Sequence, residues 1–351
     1  MQKSGLKNLI NNFMSKKFLI SIIVILVLVV GVFYFVKNSE NSSNTNEELT
    51  KVSVALDWIP YAMHSGLFVA KKRGYFADEG IEIDIHAPAD ASTILQTVAQ
   101  GRDDFGLNYQ PDVLLARSEG VPVVSVAAMT QGPLYAIMVL DESDIARPRD
   151  LKDKKVGHAG VPLERLLLDT VFKNDGLANG INDVEFTNVG YDALTGLLAG
   201  QIDGASSYYT NQPVIAEVQE GIKLRTFKVS DYGVPSYYEL VVVTNEDMIR
   251  DNPALVERFL RAVSRGYEEA AENPQEAIQL MAQSNPELDI NVANQEILLE
   301  APLWFADNGV FGWQEESRWI SFTEWMNERG LLSNPVDARQ AFTNSFVESL
   351  Q

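Results

Sequence analysis

Val52–Phe76 reads VSVALDWIPYAMHSGLFVAKKRGYF, and the rest of the chain is organised around it. Val52 to Leu56 is a short apolar run of the kind that becomes a buried strand, and it stops at Asp57-Trp58. Pro60 blocks continuation of any ladder. His64-Ser65 stands where a helix begins, Leu67, Phe68, Ala70 and Lys71 follow at helical spacing, and Gly74 ends it. A strand that finishes in a loop feeding a helix N-terminus brings side chains and unpaired N–H groups to the carboxyl edge of a sheet, where open α/β folds bind ligands. Asp57, Trp58 and His64 therefore point at a pocket.

Working outward, strand-like and helix-like segments alternate: strands at Ile81–Ile85, Phe105–Asn108 and Val121–Ala128, with helices at Ala91–Ala99 and Pro111–Ser118 between them. Such repeated β–α–β units predict an α/β fold with mainly parallel sheets. Tyr135–Leu140 is a further strand, and the polar stretch beyond it reads as the crossing into a second lobe. That lobe runs through a strand at Lys155–His158, helices at Leu163–Lys173, Ala193–Ala199 and Pro213–Val218, and strands at Val184–Asn188 and Gly204–Ser206. Tyr238–Thr244 is a long strand that carries the chain back. The remainder is helical, and its Trp304, Trp313, Trp319 and Trp325 read as core residues packed on the first lobe.

The front end is different. Four lysines precede an uninterrupted apolar run, Phe18–Val36, whose nineteen residues at about 1.5 Å each span the ~30 Å core of a bilayer. The lysines lie before the run, so the positive-inside bias predicts a single-pass anchor in the cell membrane with everything after residue 37 extracytoplasmic. The competing reading is a cleaved signal peptide, whose apolar region would be shorter and end in small residues, whereas this one ends in Val32-Phe33-Tyr34-Phe35-Val36. Asn38–Glu48 has no apolar residue and reads as a flexible tether. The expected organisation is thus 1–17 a cytoplasmic basic segment, 18–36 the anchor or signal segment, 37–50 the tether, 51–139 lobe 1, 140–239 lobe 2, and 240–351 the return to lobe 1 with C-terminal helices.

From residue 51 onward 23 Lys+Arg face 45 Asp+Glu, a net charge of −22. Such a surface is repelled by nucleic acid and by anionic lipid, and its acidity reads as a solubility device. The absence of cysteine from all 351 residues excludes disulfides, thiolate metal sites and cysteine nucleophiles. The three histidines, His64, His86 and His158, have no zinc-hydrolase spacing, and neither a G-x-S-x-G elbow nor a phosphate loop is present. Nothing demands catalysis, a metal or a cofactor.

A binding reading uses the aromatic and polar residues at strand ends. Trp58, Tyr109, Tyr191, the pair Tyr208-Tyr209 and the pair Tyr237-Tyr238 offer flat surfaces for a planar ring. Asp57, Asn108, Gln131 and Glu239 offer hydrogen bonds. Alternation lets at most one member of each tyrosine pair face the cleft if the pair is extended. Glu239, opening the apolar run Leu240-Val241-Val242-Val243, is costly to bury unless it meets water or a partner such as an amino group or protonated ring nitrogen. Asp57 as a simple loop cap and Glu239 as a solvated strand end are the plain alternatives.

Leu56-Asp57-Trp58-Ile59-Pro60 followed by His64-Ser65-Gly66, and Gly233-Val234-Pro235-Ser236-Tyr237-Tyr238-Glu239, resemble motifs of the thiamin-pyrimidine branch of ABC-importer substrate-binding proteins. Asp150-Leu151-Lys152-Asp153-Lys154-Lys155-Val156-Gly157 is similar to a run in the wider superfamily, which includes nitrate-, sulfonate- and taurine-binding proteins and the fungal thiamin-pyrimidine synthase. The resemblance spans residues 51 to 275 and implies a two-lobed periplasmic-binding-protein fold of type II with a ligand cleft between its lobes. It implies hinge closure on an aminopyrimidine thiamin precursor, of the formylaminopyrimidine or hydroxymethylpyrimidine type, and hand-over to an ABC permease by a monomer. Riboflavin or another planar heterocycle is the alternative ligand. The fungal synthase uses a lysine-bound pyridoxal phosphate and a cysteine cluster. Here Asn108 stands at the expected lysine position and cysteine is absent. The expected ligand residues are Asp57, Trp58, His64, Asn108, Tyr208, Tyr209, Tyr237, Tyr238 and Glu239, with Trp58 and one tyrosine sandwiching the ring.

Overall fold

A computed structural model of the protein describes residues 49–350 apart from 161, 191 and 192. The apolar run Phe18–Val36, the polar stretch Asn38–Glu48 and Tyr191 lie outside the described residues. Among the described residues no helix is long and apolar enough to cross a membrane.

Ten strands form two five-stranded sheets, in the orders β2-β1-β3-β10-β4 and β7-β6-β8-β5-β9. The first holds β1 (Thr50–Ala55), β2 (Ile81–His86), β3 (Phe105–Asn108), β4 (Val123–Thr130) and β10 (Leu240–Asn245). The second holds β5 (Tyr135–Leu140), β6 (Lys155–His158), β7 (Glu185–Asn188), β8 (Gly204–Tyr208) and β9 (Leu224–Lys228). The helices used below, numbered among themselves, are α1 (Ser65–Arg73), α2 (Gln110–Ser118), α3 (Pro162–Asn174), α4 (Pro253–Glu272), α5 (Ile290–Glu300) and α6 (Glu316–Glu328).

The sheets are mixed where mainly parallel ones were expected. β1 pairs β2 and β3 in parallel, and β6 pairs β7 and β8 in parallel, but β10 runs antiparallel to β3 and β4, and β5 runs antiparallel to β8 and β9. The reversed strands β5 and β10 are the ones that follow a crossing between sheets. A chain arriving from the other lobe enters at the edge where the parallel strands finish, so it runs against them. Because β5 already belongs to the second sheet, the first crossing lies at 131–134 rather than at the expected 139/140 boundary. The return crossing is 229–239, and β10 starts at Leu240, so Tyr238 and Glu239 precede the strand they were expected to open. β9, the edge strand LRTFK, has only two apolar residues and gave no apolar run to read.

The opening unit folds as its sequence suggests. β1 ends at Ala55, a single 3-10 turn covers Ala62–His64, and α1 stops at Gly74, whose φ of 81° suits glycine. Gly66 is required by packing: a Cβ there would stand 2.4 Å from the Tyr267 ring of α4, whose hydroxyl donates to the Met63 carbonyl at 2.8 Å. That contact fixes the Ala62–His64 turn against the first lobe's core, where Phe105 stacks on Phe259 of α4 at 3.8 Å. The four tryptophans of the C-terminal part pack as core-type residues: Trp304 against Tyr267, Trp313 half-buried against the first core, Trp319 on Phe342 and Trp325 on Phe322.

Candidate ligand-binding site

The carboxyl end of β1 delivers Asp57 and the following turn delivers His64, both buried, with Nε2 of His64 2.6 Å from Oδ1 of Asp57. The backbone N–H of Tyr61 points at Nδ1 of His64 at 3.4 Å, so Nδ1 accepts and the Nε2 proton is the one shared with Asp57. The second oxygen, Oδ2, accepts from the hydroxyls of Tyr61 at 3.2 Å and Tyr109 at 2.8 Å. Burial, then the neighbouring Asp57, raises both phenols well above the ordinary 10.0, so they remain donors. Asp57 is thus neither a loop cap nor a free ligand group. It is the hub of a four-residue cluster joining β1, the turn and the start of α2.

Asn108, at the end of β3, is buried and its Oδ1 accepts the adjacent Tyr109 N–H at 2.8 Å, which aims Tyr109 at Asp57. Trp58 and Ile59 are 42 % and 62 % exposed, an apolar lip directly after the cluster.

Glu239 lies where the two crossings run together. It is 1 % exposed, and its Oε2 accepts the N–H of Leu134, from the first crossing, at 2.7 Å. The Leu134 carbonyl in turn accepts from the Tyr209 N–H at 3.0 Å. Burial pushes the Glu239 carboxyl up to about 7, against the opposing help of Leu134 and the Tyr208 and Tyr237 hydroxyls. The Tyr237 hydroxyl sits beside this carboxyl without a well-formed hydrogen bond. Tyr208 meets Tyr135 edge to face at 4.9 Å, and its phenol is raised by burial and then by Glu239. Tyr208 and Tyr209, at the end of β8, pack onto the first lobe's core, and Lys228 lies 3.8 Å from the centre of the Tyr209 ring.

The structure therefore brings Asp57, His64, Asn108, Tyr208, Tyr209, Tyr237 and Glu239 to the facing strand ends, with Trp58 at the lip. Tyr238 leaves the group. Its ring is buried against Trp319 with Arg318 over it at 4.5 Å, and its oxygen accepts the Glu315 N–H at 2.5 Å, so it anchors the segment entering α6. Gln131 also leaves, its amide donating to the Trp313 carbonyl at 3.1 Å.

Sequence reading passed over Tyr61, Tyr135, Glu296 and Glu300. Tyr61 lies inside the opening stretch, four residues from Asp57, and that spacing was the available signal. Glu296 and Glu300 are one turn apart on α5 and both buried, which no local pattern reveals. Among the described residues no group of three or more His, Asp or Glu side chains could hold a metal ion.

A family model described as "NMT1/THI5 like" matches residues 61–277. The formylaminopyrimidine-binding protein of Halalkalibacterium halodurans is 34% identical over 326 residues, covering 91% of this chain and 98% of the relative. The riboflavin-binding protein RibY of Chloroflexus aurantiacus is 30% identical, covering 87% and 88%. The 4-amino-5-hydroxymethyl-2-methylpyrimidine phosphate synthase of Uromyces fabae is 24% identical, covering 85% and 88%. In fold, the periplasmic aliphatic sulphonate-binding protein SsuA of Escherichia coli superposes with a TM-score of 0.67 at 18% identity, covering 83% and 91%, so the two-sheet architecture is that of periplasmic binding proteins.

Proposed function

This chain belongs to the NMT1/THI5-like family, and on that premise we propose that it is the extracytoplasmic solute-binding component of an ABC importer, taking an aminopyrimidine thiamin precursor into the cleft between its lobes. The observation that carries this reading is Glu239. It is a buried carboxyl at the seam of the two crossings, ringed by tyrosines and poised near neutrality.

A 4-aminopyrimidine presents an amidine-like edge, an amino donor beside a ring nitrogen that accepts when neutral and donates when protonated. Pairing it with Glu239 replaces lost hydration by a charge-assisted hydrogen bond while flat tyrosine and tryptophan faces hold the ring. Asp57, His64 and Asn108 shape the opposite wall, their hydrogen bonds already made, so they order Tyr61 and Tyr109 before a ligand arrives. Tyr208 and Tyr209 of the second lobe, already packed on the first lobe's core, would hold a ring resting beside Trp58 once hinge motion has enclosed it. The proposed importer component works as a monomer that hands its solute to a membrane permease.

Calorimetric titration of the full-length protein with formylaminopyrimidine tests this. Glu239→Gln is expected to weaken binding by about 2–5 kcal/mol, the cost of losing a buried charged hydrogen bond. Unchanged affinity would remove Glu239 from the site. The RibY relative favours a second reading, a flavin ligand, and competition between riboflavin and formylaminopyrimidine in the same titration separates the two. The synthase relatives share the framework, but with Asn108 tied to Tyr109 and cysteine absent from the chain, the residues favour binding over synthesis.

A further inference from the structure

A buried acid near the lobe seam is not used by the reading above. Glu300, the last residue of α5, is 1 % exposed, and neither carboxyl oxygen makes a hydrogen bond in the protein. Thr210, fully buried just after β8, has its hydroxyl beside the Glu300 carboxyl without a well-formed hydrogen bond to it. Trp304 Nε1, one turn later, is also buried without a hydrogen bond. Glu296, one turn earlier on α5, accepts from Asn211 at 2.7 Å and from the Ala62 backbone N–H. α5 thus spans the Ala62–His64 turn of one lobe and the segment after β8 of the other, and Glu300 sits on that shared face.

Glu300 is also related to Glu239 through the residues they share. Tyr61 and Tyr209 each lie within electrostatic reach of both Glu239 and Glu300, so the two acids flank the same pair of phenols. Burial, then the adjacent Glu296, holds the Glu300 carboxyl well above the usual carboxylate range, and its place at a helix C-terminus also disfavours negative charge. A neutral carboxylic acid both donates and accepts, as an amide or a hydroxyl does.

We infer that Glu300 is a specificity-determining residue of the cleft, pairing with a donor–acceptor arm, amide or hydroxymethyl, on the pyrimidine whose amino edge meets Glu239. This rests on the pyrimidine reading given above. A ring lacking the arm leaves Glu300 and Thr210 as unpaired as they are now, so the site discriminates by what the wrong ligand fails to satisfy.

The test is calorimetry on the full-length protein with two probes, formylaminopyrimidine and the armless 4-amino-2,5-dimethylpyrimidine. Wild type should prefer the armed probe by about tenfold or more, the equivalent of one buried hydrogen bond left unmade. Glu300→Leu should weaken only the armed probe, by about 10- to 100-fold, while Glu300→Gln, which keeps a donor and an acceptor, should stay within about threefold of wild type. Retained binding of the armless probe shows that each variant is folded. Equal wild-type affinity for the two probes overturns the inference whatever the variants do. So does equal weakening of both probes by Glu300→Leu, or Glu300→Gln behaving as badly as Leu. A wild-type protein that binds neither probe sinks the pyrimidine reading itself, whereas one that binds both alike sinks only the role of Glu300.

Discussion

Asp57 and Glu300 are buried to the same degree, 2 % and 1 % exposed, yet they live in opposite circumstances. Asp57 accepts from His64, Tyr61 and Tyr109, so its charge is absorbed by side chains whose positions it fixes. Glu300 makes no well-formed hydrogen bond, with only the Thr210 hydroxyl beside it, and Glu239 stands between these extremes with Leu134. A buried acid with a full set of donors is architecture. A buried acid with an incomplete set is held at a cost that only a ligand or a proton can offset. The hydrogen bonds of Asp57 are complete in the protein, and those of Glu239 and Glu300 are not.

That contrast breaks most directly at Asp57. Asp57→Ala strands a buried histidine and two half-buried tyrosine hydroxyls, and urea unfolding should show a loss of about 3–5 kcal/mol. A loss below about 1 kcal/mol would mean that the cluster is no more structural than the other wall.

The next largest effect is on pH. The folded protein holds the Glu239 proton up to about 7, whereas an unfolded chain releases it near 4.5. Stability from this group is therefore fully present below pH 4.5 and falls as pH rises to 7, by roughly 3 kcal/mol without ligand. Glu296, also raised to about 7, adds to the same slope. Urea midpoints across that window should decline in wild type and decline less in Glu239→Gln. Parallel curves would refute the assignment.

The smallest effect sharpens the comparison from the satisfied side. Tyr109→Phe removes one of three donors from Asp57 and should cost about 1.5 kcal/mol in the same unfolding measurement, with the His64 contact keeping the hub in place. A loss as large as that of Asp57→Ala would show that the donors do not share the charge.

Much of the fold was legible. The strand, turn and helix of Val52–Gly74 follow from an apolar run, a proline and a glycine, and β3, β5 and β6 fall where their apolar stretches lie. Local pattern could not say which sheet β5 joins, because YAIMVL is equally buried in either. Nor could it separate Tyr237 from Tyr238: both are fully buried against α6, Tyr237 on Phe322 and Tyr238 on Trp319, and only the Tyr237 hydroxyl lies beside Glu239. Among site residues, Asp57, His64 and Glu239 were readable because charge beside an apolar run is expensive. Glu300 was not, since a glutamate in NQEILLE is ordinary on any exposed helix face.

The sequence by itself determined that this is an α/β chain crossing between two lobes, acidic and without cysteine, with its polar chemistry gathered after the first strand. These properties are local: they reside in spacing, composition and turn residues. Only the tertiary structure decided which acids are paired and which are not, because a carboxyl's partners come from Leu134, Tyr109 or Asn211, tens to hundreds of residues away, and meet it only when the sheets and α5 are assembled.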